Sequence, residues 1–324
     1  MTTKERLLSL FESNKGVYIS GEDLASKLDL SRTAIWKAIN SLRKDGYVID
    51  AVQNKGYSLA IDTDILSTQG IEKYLQDCPE KLTIEVYEQV SSTNTMVRER
   101  AAVGAQEGLV IIASEQVAGR GRRGRSFYSP NNSGIYLSML LRPRNMDLAQ
   151  AASITTIAAV AAVEAIREIA DQNAGIKWVN DIFINDRKVS GILTEAAMDL
   201  ESTGLDYVVL GIGLNAYEPE GGFPEEIRDI AGAIFDRAAN DGKNALSAAF
   251  IKNFMKYYKA DNPKDYVDKY KEYSIVLGKN VNVINKDGSC RAKVLDIDSE
   301  CHLIVEYENR QRDVLSSGEI SIKL

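Results

Sequence analysis

The chain has 324 residues, 44% hydrophobic and 26% charged, with a formal net charge of −7. That composition is ordinary for a globular protein and leaves room for two or three domains, each able to bury a core. One histidine (His302) and three scattered cysteines (Cys78, Cys290, Cys301) argue against histidine-base chemistry and against a metal site by ligand spacing; they point to a reducing, cytoplasmic setting.

The N-terminus MTTKERLLSLFESNKG reads as an amphipathic helix and not as a secretion signal, with Leu7, Leu8, Leu10 and Phe11 on one face. Ser20 is placed to cap the helix EDLASKL, with Asp23 reaching back as in a capping box. Ser31 caps a third helix, RTAIWKAINSLRKD, which Gly46 can end. Its Ile35, Ile39 and Leu42 recur at helical spacing and face inward, so Arg32, Thr33, Trp36, Lys37 and Asn40 take the other face. YVIDAVQNKGYSLA then reads as two short strands around a turn at Asn54, Lys55 and Gly56. This order is that of a winged helix-turn-helix, a DNA-binding domain over residues 1–62. Residues 1–60 hold nine Lys/Arg against seven Asp/Glu, a net of +2 in a chain whose remainder carries −9. The competing interpretation is a helical packing module; an exposed tryptophan between basic residues favours contact with phosphates or bases.

IDTDILST (61–68) reads as a linker, and beyond it strands and helices alternate. TIEVYEQV is a strand, STNTMVRERAAVG a helix capped at Ser92 or Thr93, LVIIASEQ a buried strand and GIYLSMLLRP another. The uncharged run Leu148–Val163, diluted by Ser153, Thr155, Thr156 and alanines, falls short of the roughly 18 residues of a membrane span and is expected in a core helix from about 149 to 170. GIKWVNDIFINDRKVSGILTEA predicts a strand, a hairpin turn at Asn185-Asp186 and a second strand, and YVVLGIGLN a further strand. Helices are expected from there to about Tyr273. The pattern is α+β, a mixed-sheet domain over residues 68–273. Residues 275–324 read as four or five short strands with a turn at Lys286-Asp287-Gly288, a small SH3-like barrel.

Between two of the strands, residues 119–125 read GRGRRGR. Glycines at this spacing forbid a stable helix and leave the segment mobile unless it is occupied; they let a ligand approach the backbone, and arginines supply fork-shaped donors for carboxylates and phosphates. The run is neither a P-loop nor a dinucleotide fingerprint, and its place inside a globular core argues for a small anionic ligand over RNA. Lys177, between Ile176 and Trp178, stands at a strand end; partial desolvation would strengthen its pull on anions, unless it is simply paired with Asp181.

GRGRRG, followed by KWVND (177–181), GIL (191–193) and GIGLN (211–215), resembles the biotin–protein ligases, and the N-terminal winged helix matches their bifunctional bacterial form, ligase and biotin operon repressor in one chain. The resemblance covers essentially the whole chain. Val179 departs from it, standing where the family has proline, which loosens the turn and removes no functional group. What the resemblance implies is an enzyme that joins biotin and ATP into biotinyl-5′-AMP and passes biotin to a lysine of a biotin carboxyl carrier protein. Lys177 then stabilises the charge between the two reacting anions; Ser92, Thr93 and Asn94 hydrogen-bond the biotin ring and Gln116 makes another ligand contact; Arg120 and Arg122 fold over biotin and the adenylate, with Gly119, Gly121 and Gly191 among the biotin/adenylate-binding positions; Arg125, Asn180 and Asn215 stand on the nucleotide side. Mg2+ would act on the leaving pyrophosphate without a protein ligand set of its own. The exposed face of the third helix is expected to place Arg32, Thr33, Trp36 and Lys37 in the major groove of operator DNA, and the small positive charge of one winged helix calls for a homodimer when ligand is bound; the resemblance further implies the adenylate as corepressor, and no membrane association is expected. A lipoate ligase would carry a different loop (R-R-x-x-G-G-G), and a ligand-sensing transcription factor without enzymatic activity would need neither Lys177 nor the loop.

Overall fold

A computed structural model describes residues 1–143, 146, 151–198, 204–237, 240–260, 262, 264–285 and 288–321. The chain divides into two compact units, Met1–Pro79 with Arg237–Ala248, and Glu80–Asp236 with Ala249–Leu324.

In the first unit, helix α1 (Thr3–Glu12) opens on a true capping box: Thr2 accepts from the Glu5 N–H and Glu5 accepts from the Thr2 N–H. The box expected at Ser20 is only half made. Ser20 caps α2 (Gly21–Leu28) through the Asp23 N–H at 3.0 Å, but the Asp23 carboxylate takes the Ser20 hydroxyl, one methylene too short for the backbone reach of Glu or Gln. Helix α3 (Arg32–Lys44) is capped by Ser31 and ends at Asp45 ahead of Gly46 at φ +91°. Ile35, Ile39 and Leu42 are buried with Leu7, Phe11, Leu24 and Leu59. Strands β1 (Ile49–Val52) and β2 (Gly56–Leu59) pair antiparallel as the wing, turning through Asn54 at φ +62°. Gly56, at φ +104°, lies so close to the Ile19 carbonyl that any Cβ would collide with it.

The stretch 61–68 is not the loose linker expected. Its carbonyls and carboxylate are tied down: Thr63 O accepts from Lys15 Nζ (2.8 Å), Asp64 accepts the Lys243 N–H (2.9 Å), and the Asn244 amide bonds Ile65 O and the Ser67 N–H. Ser67 then caps a short helix α4 (Thr68–Glu72). Beside it, Glu12, Lys15, Lys73 and Asp241 form a buried ionic cluster, with Lys15 2.7 Å from Asp241 and Lys73 2.8 Å from Glu12 and paired with Asp241.

The second unit begins with β3 (Thr83–Val90), α5 (Thr93–Ala102), β4 (Leu109–Gln116), β5 (Gly134–Leu141), α6 (Ala151–Ala170), β6 (Gly175–Lys177), β7 (Asp181–Ile184), β8 (Arg187–Met198) and β9 (Leu205–Asn215). Their strands form one sheet in the order β3-β4-β5-β9-β8-β7-β6, in which only β3 and β4 run parallel, joined by the crossover α5. The mixed α+β class expected from the sequence is therefore what forms. Helix α6 packs on β6, β7, β8 and β9, with alanines 158, 159, 161 and 162 fully buried; position 149, where this helix was expected to begin, lies outside the described residues.

The segment expected as one strand through KWVND is a hairpin. It leaves β6 after Lys177 and re-enters as β7 at Asp181, because Trp178 is drawn aside to donate its indole N–H to the Cys301 carbonyl at 3.0 Å. Helices do not fill the span up to Tyr273: residues 216–237 are turns and irregular chain, broken by Pro219, Gly221 and Gly222 (φ +85° and +81°) and Pro224. Helices α7 (Gly242–Tyr258) and α8 (Val267–Tyr273) follow. The C-terminal strands β10 (Asn280–Asn285), β11 (Gly288–Ile297), β12 (Leu303–Tyr307), β13 (Arg312–Leu315) and β14 (Glu319–Ser321) form an antiparallel sheet in the order β13-β12-β11-β10-β14. Among the described residues β13 and β14 do not pair, so closure into a barrel is not seen. Lys286 and Asp287 of the expected turn lie outside the described residues. Among the described residues no helix is long and apolar enough to cross a membrane.

Candidate active site

Strand β4 delivers the arginine–glycine loop and β6 delivers Lys177, so the sheet brings two segments far apart in sequence to one pocket. Between them they form a cleft open to solvent, lined by residues 120–123, 125–127, 177, 178, 180, 181, 188, 191–193, 318 and 320. Among the described residues its lining holds the cations Arg120, Arg122, Arg123, Arg125, Lys177 and Lys188 and the carboxylate Asp181. Asp181 pairs with Lys188 at 2.7 Å. Lys177 is half-buried, its ammonium 5.3 Å from the centre of the Phe183 ring. A concave, strongly positive lining of this kind concentrates and holds anions.

The loop is more ordered than its glycines suggested. Gly121 N–H donates to Arg125 O at 2.7 Å and Phe127 N–H to Gly119 O at 3.0 Å, and Arg122–Gly124 make one turn of 3-10 helix with Arg123 at φ +56°. Arg122 donates to the Asn180 side-chain oxygen at 2.8 Å, while Asn180 Nδ2 donates to Ile192 O at 2.9 Å. The loop, the KWVN turn and β8 are thus one hydrogen-bonded assembly. The turn is pinned from the C-terminal side as well: the buried Tyr270 hydroxyl donates to Val179 O at 3.0 Å, the Ile275 N–H donates to Ile176 O at 2.9 Å, and the Trp178–Val179 peptide is cis.

Of the residues singled out in the sequence, Arg120, Gly121, Arg122, Arg125, Lys177, Asn180 and Gly191 line this pocket. Ser92, Thr93, Asn94 and Gln116 gather instead in a second cluster where α5 begins, the first three nearly fully buried. Ser92 holds the N-cap position, yet its hydroxyl makes no cap bond; the Thr93 N–H is satisfied by Gln116 Oε1 at 2.9 Å. Gln116 Nε2 donates to Ser129, and Asn94 Nδ2 lies 3.5 Å from the carbonyl of Leu193, a pocket residue, so the clusters adjoin along β8. A Cβ on Gly119 would press on Phe127 O and Ser129. Asn215 lies outside the lining and donates to Gly232 O at 3.0 Å. The sequence reading missed Arg123, Phe127, Trp178, Lys188, Gly318 and Ile320. The glycines of GIGLN were the available signal for Phe127: side chains at Gly211 and Gly213 would collide with Asn94 and Phe127 respectively. Nothing local pointed to Gly318.

Comparison with known proteins agrees with this geometry. The "Biotin/lipoate A/B protein ligase family" matches residues 86–215, "HTH domain" residues 3–58 and "Biotin protein ligase C terminal domain" residues 276–323. The "Bifunctional ligase/repressor BirA" of Bacillus subtilis (strain 168) is 33% identical over 324 residues, 98% of either chain. This chain belongs to the bifunctional biotin–protein ligase/repressor family. The protein of the same title from Escherichia coli (strain K12) is 27% identical over 99% of this chain and 98% of its own. The solved structure "Biotin protein ligase from Aquifex aeolicus in complex with biotin and ATP" is 26% identical with a TM-score of 0.60, covering 74% of this chain and 98% of that one.

In a ligase/repressor the second surface of interest is α3 of the first unit. Arg32, Thr33, Trp36 and Lys37 all stand exposed along it, Trp36 at 56%, and Arg32 pairs with Glu22 at 2.8 Å. On the wing, the Lys55 ammonium stands 6.0 Å from the Tyr18 ring centre.

Proposed function

We propose that this ligase/repressor makes biotinyl-5′-AMP in the arginine-lined pocket and transfers biotin to a lysine of a biotin carboxyl carrier protein. The carrying observation is that the fold brings Lys177 and the arginines of the 119–125 loop, far apart in sequence, to one open pocket. Biotin's carboxylate and the α-phosphate of ATP repel each other, and Lys177 between them lowers the energy of the charge that develops as the C–O–P bond forms and pyrophosphate leaves. Arg120 and Arg122 cover the mixed anhydride and keep water from it, with Arg122 held in place by Asn180. Ser92, Thr93 and Asn94 hold the biotin ring and Gln116 makes another ligand contact; Gly119, Gly121 and Gly191 give the ligand room; Arg125, Asn180 and Asn215 serve the nucleotide side. The carrier's lysine amine then attacks the acyl carbon, giving an amide and AMP.

Among the described residues no group of three His, Cys, Asp or Glu could hold a metal. The lining therefore suits Mg2+ only as a companion of the ATP phosphates, where it would neutralise the leaving pyrophosphate.

The functional domains we propose are 1–62 for DNA, 68–273 for catalysis and 275–324 for the C-terminal sheet, in a cytoplasmic protein. Arg32, Thr33, Trp36 and Lys37 enter the major groove of operator DNA. A net charge of about +2 on one winged helix neutralises few phosphates, so repression uses a homodimer on a two-fold site, formed when the adenylate is bound and using an edge of the central sheet. The test combines pyrophosphate release and carrier biotinylation, from biotin, ATP and Mg2+, with sedimentation and operator binding upstream of biotin-synthesis genes. Pyrophosphate release that depends on biotin, with adenylate-dependent dimerisation and DNA binding, is expected. No biotin-dependent release would overturn the ligase, and adenylate-independent association and DNA binding would overturn the corepressor role.

A further inference from the structure

Next to the ring-binding cluster lies a chain of polar groups that ends on a residue with no assigned role. Glu195, on β8, accepts from Asn94 Nδ2 at 2.7 Å, and Arg98 stands 3.6 Å from its other carboxylate oxygen. The other acceptor facing that nitrogen is Leu193 O at 3.5 Å, so the Asn94 amide has one workable orientation and its Oδ1 points the other way. There it lies 2.6 Å from Ser138 Oγ, which is fully buried on β5 and also 2.7 Å from Thr93 Oγ1. Gly211, opposite Ser138 in the β5–β9 register, makes the room for Asn94.

A hydroxyl has one proton. Asn94 Oδ1 can only accept, so the Ser138 proton goes to it, and the 2.7 Å contact then requires the Thr93 hydroxyl to donate to Ser138. The remaining neighbour of the Thr93 hydroxyl, Gln116 Oε1, is the longer contact at 3.2 Å and already accepts the Thr93 N–H at 2.9 Å, so the proton favours the shorter Ser138 contact. The protons therefore run one way, Thr93 to Ser138 to Asn94 to Glu195, and the Thr93 oxygen is left with a lone pair.

We infer that Glu195 is a positioning residue which, through Asn94 and Ser138, sets Thr93 to accept a hydrogen bond from a ring N–H of the substrate. The inference rests on the ring-binding role proposed above for Ser92–Asn94. A site polarised in this way selects a cyclic urea over a ring whose nitrogen carries no hydrogen, because the unmatched buried acceptor is costly.

Steady-state pyrophosphate release by the full chain tests this with Glu195→Ala, Glu195→Gln and Ser138→Ala, using biotin and an analogue methylated at a ring nitrogen. Loss of one buried hydrogen-bond link is expected to raise the biotin KM about 10- to 100-fold in Glu195→Ala and Ser138→Ala. The KM for ATP should stay unchanged, and the preference for biotin over the methylated analogue should narrow. Glu195→Gln keeps an acceptor oxygen and should restore the biotin KM. An unchanged biotin KM in Glu195→Ala, a parallel rise in both KM values, or failure of the Gln variant to restore it would each overturn the relay. A wild-type chain that releases no pyrophosphate with biotin would instead overturn the ligase reading itself.

Discussion

Two clusters of charged side chains, one in each unit, differ in balance and in burial. In the first unit Glu12 and Asp241, with side chains 0% and 5% exposed, meet Lys15 and Lys73; Tyr74 and Asn244 add hydrogen bonds to Asp241 at 2.8 Å each. Two acids and two bases balance in charge. In the second unit, among the described residues, six cations and the carboxylate of Asp181 line an open pocket, Asp181 pairing with Lys188. Burial tolerates charge only when it is paired and hydrogen-bonded, whereas a solvent-filled cleft can keep cations in excess and offer them to an incoming anion. A charged cluster is therefore classified by its balance and its burial, not by its size.

The contrast breaks hardest where the balance is removed. Asp241→Ala leaves two lysines against Glu12 in a buried place and is expected to cost about 3–5 kcal/mol of stability, read as a lower urea midpoint. The pH dependence has a definite sign. Burial pushes the Asp241 carboxyl up, but hydrogen bonds from Lys15, Lys73 and Asn244 outweigh it and hold the group below its ordinary 3.8. Its contribution is thus complete above pH 3.8 and lost as pH falls through the lowered folded value. Burial lowers Lys73, but Asp241 and Glu12 outweigh that and raise it above 10.5, so its contribution is complete below that pH and lost as pH rises through the raised value. Asp241→Asn should flatten the acid limb of a stability–pH curve; an unchanged limb would show that the cluster does not control it.

In the open cluster the loss should appear in rate and not in stability. Lys177→Ala is expected to slow adenylate synthesis about 10²–10³-fold with its urea midpoint within error of wild type, measured by pyrophosphate release. Near-normal release would remove Lys177 from the chemistry. The smallest effect sharpens the comparison by loosening the pocket without touching a charge: Tyr270→Phe deletes the bond to Val179 O and is expected to cost about 1 kcal/mol, with a severalfold fall in kcat and little change in the KM for biotin. A kcat equal to wild type would mean that the KWVN turn holds without it.

The first unit was legible almost residue by residue. Ser31 as a cap, Gly46 as a stop, the inward Ile35, Ile39 and Leu42 and the turn at Asn54 are decided within three or four positions. The loop and Lys177 were legible as anion-binding groups because arginine forks and glycine spacing have few other uses. The split of KWVND between two strands was not, since it depends on where an indole 123 residues from Cys301 finds its acceptor. Residues 61–68 looked like a linker because threonine, aspartate and serine read as solvated; the partners that bury them, Lys15 and Asn244, lie 48 and 177 or more positions away.

The sequence by itself determined the winged helix, the α+β class, the strand ends that carry the chemistry and the arginine-rich loop, because caps, turns and periodicity act over a single turn of chain. Only the tertiary structure decided which charges are buried against each other and which line an open pocket. Lys15 reaches across 226 positions to Asp241, and Asn94 reaches Glu195 across 101. A side chain's pairing and desolvation belong to the segments that fold against it, and no local pattern encodes them.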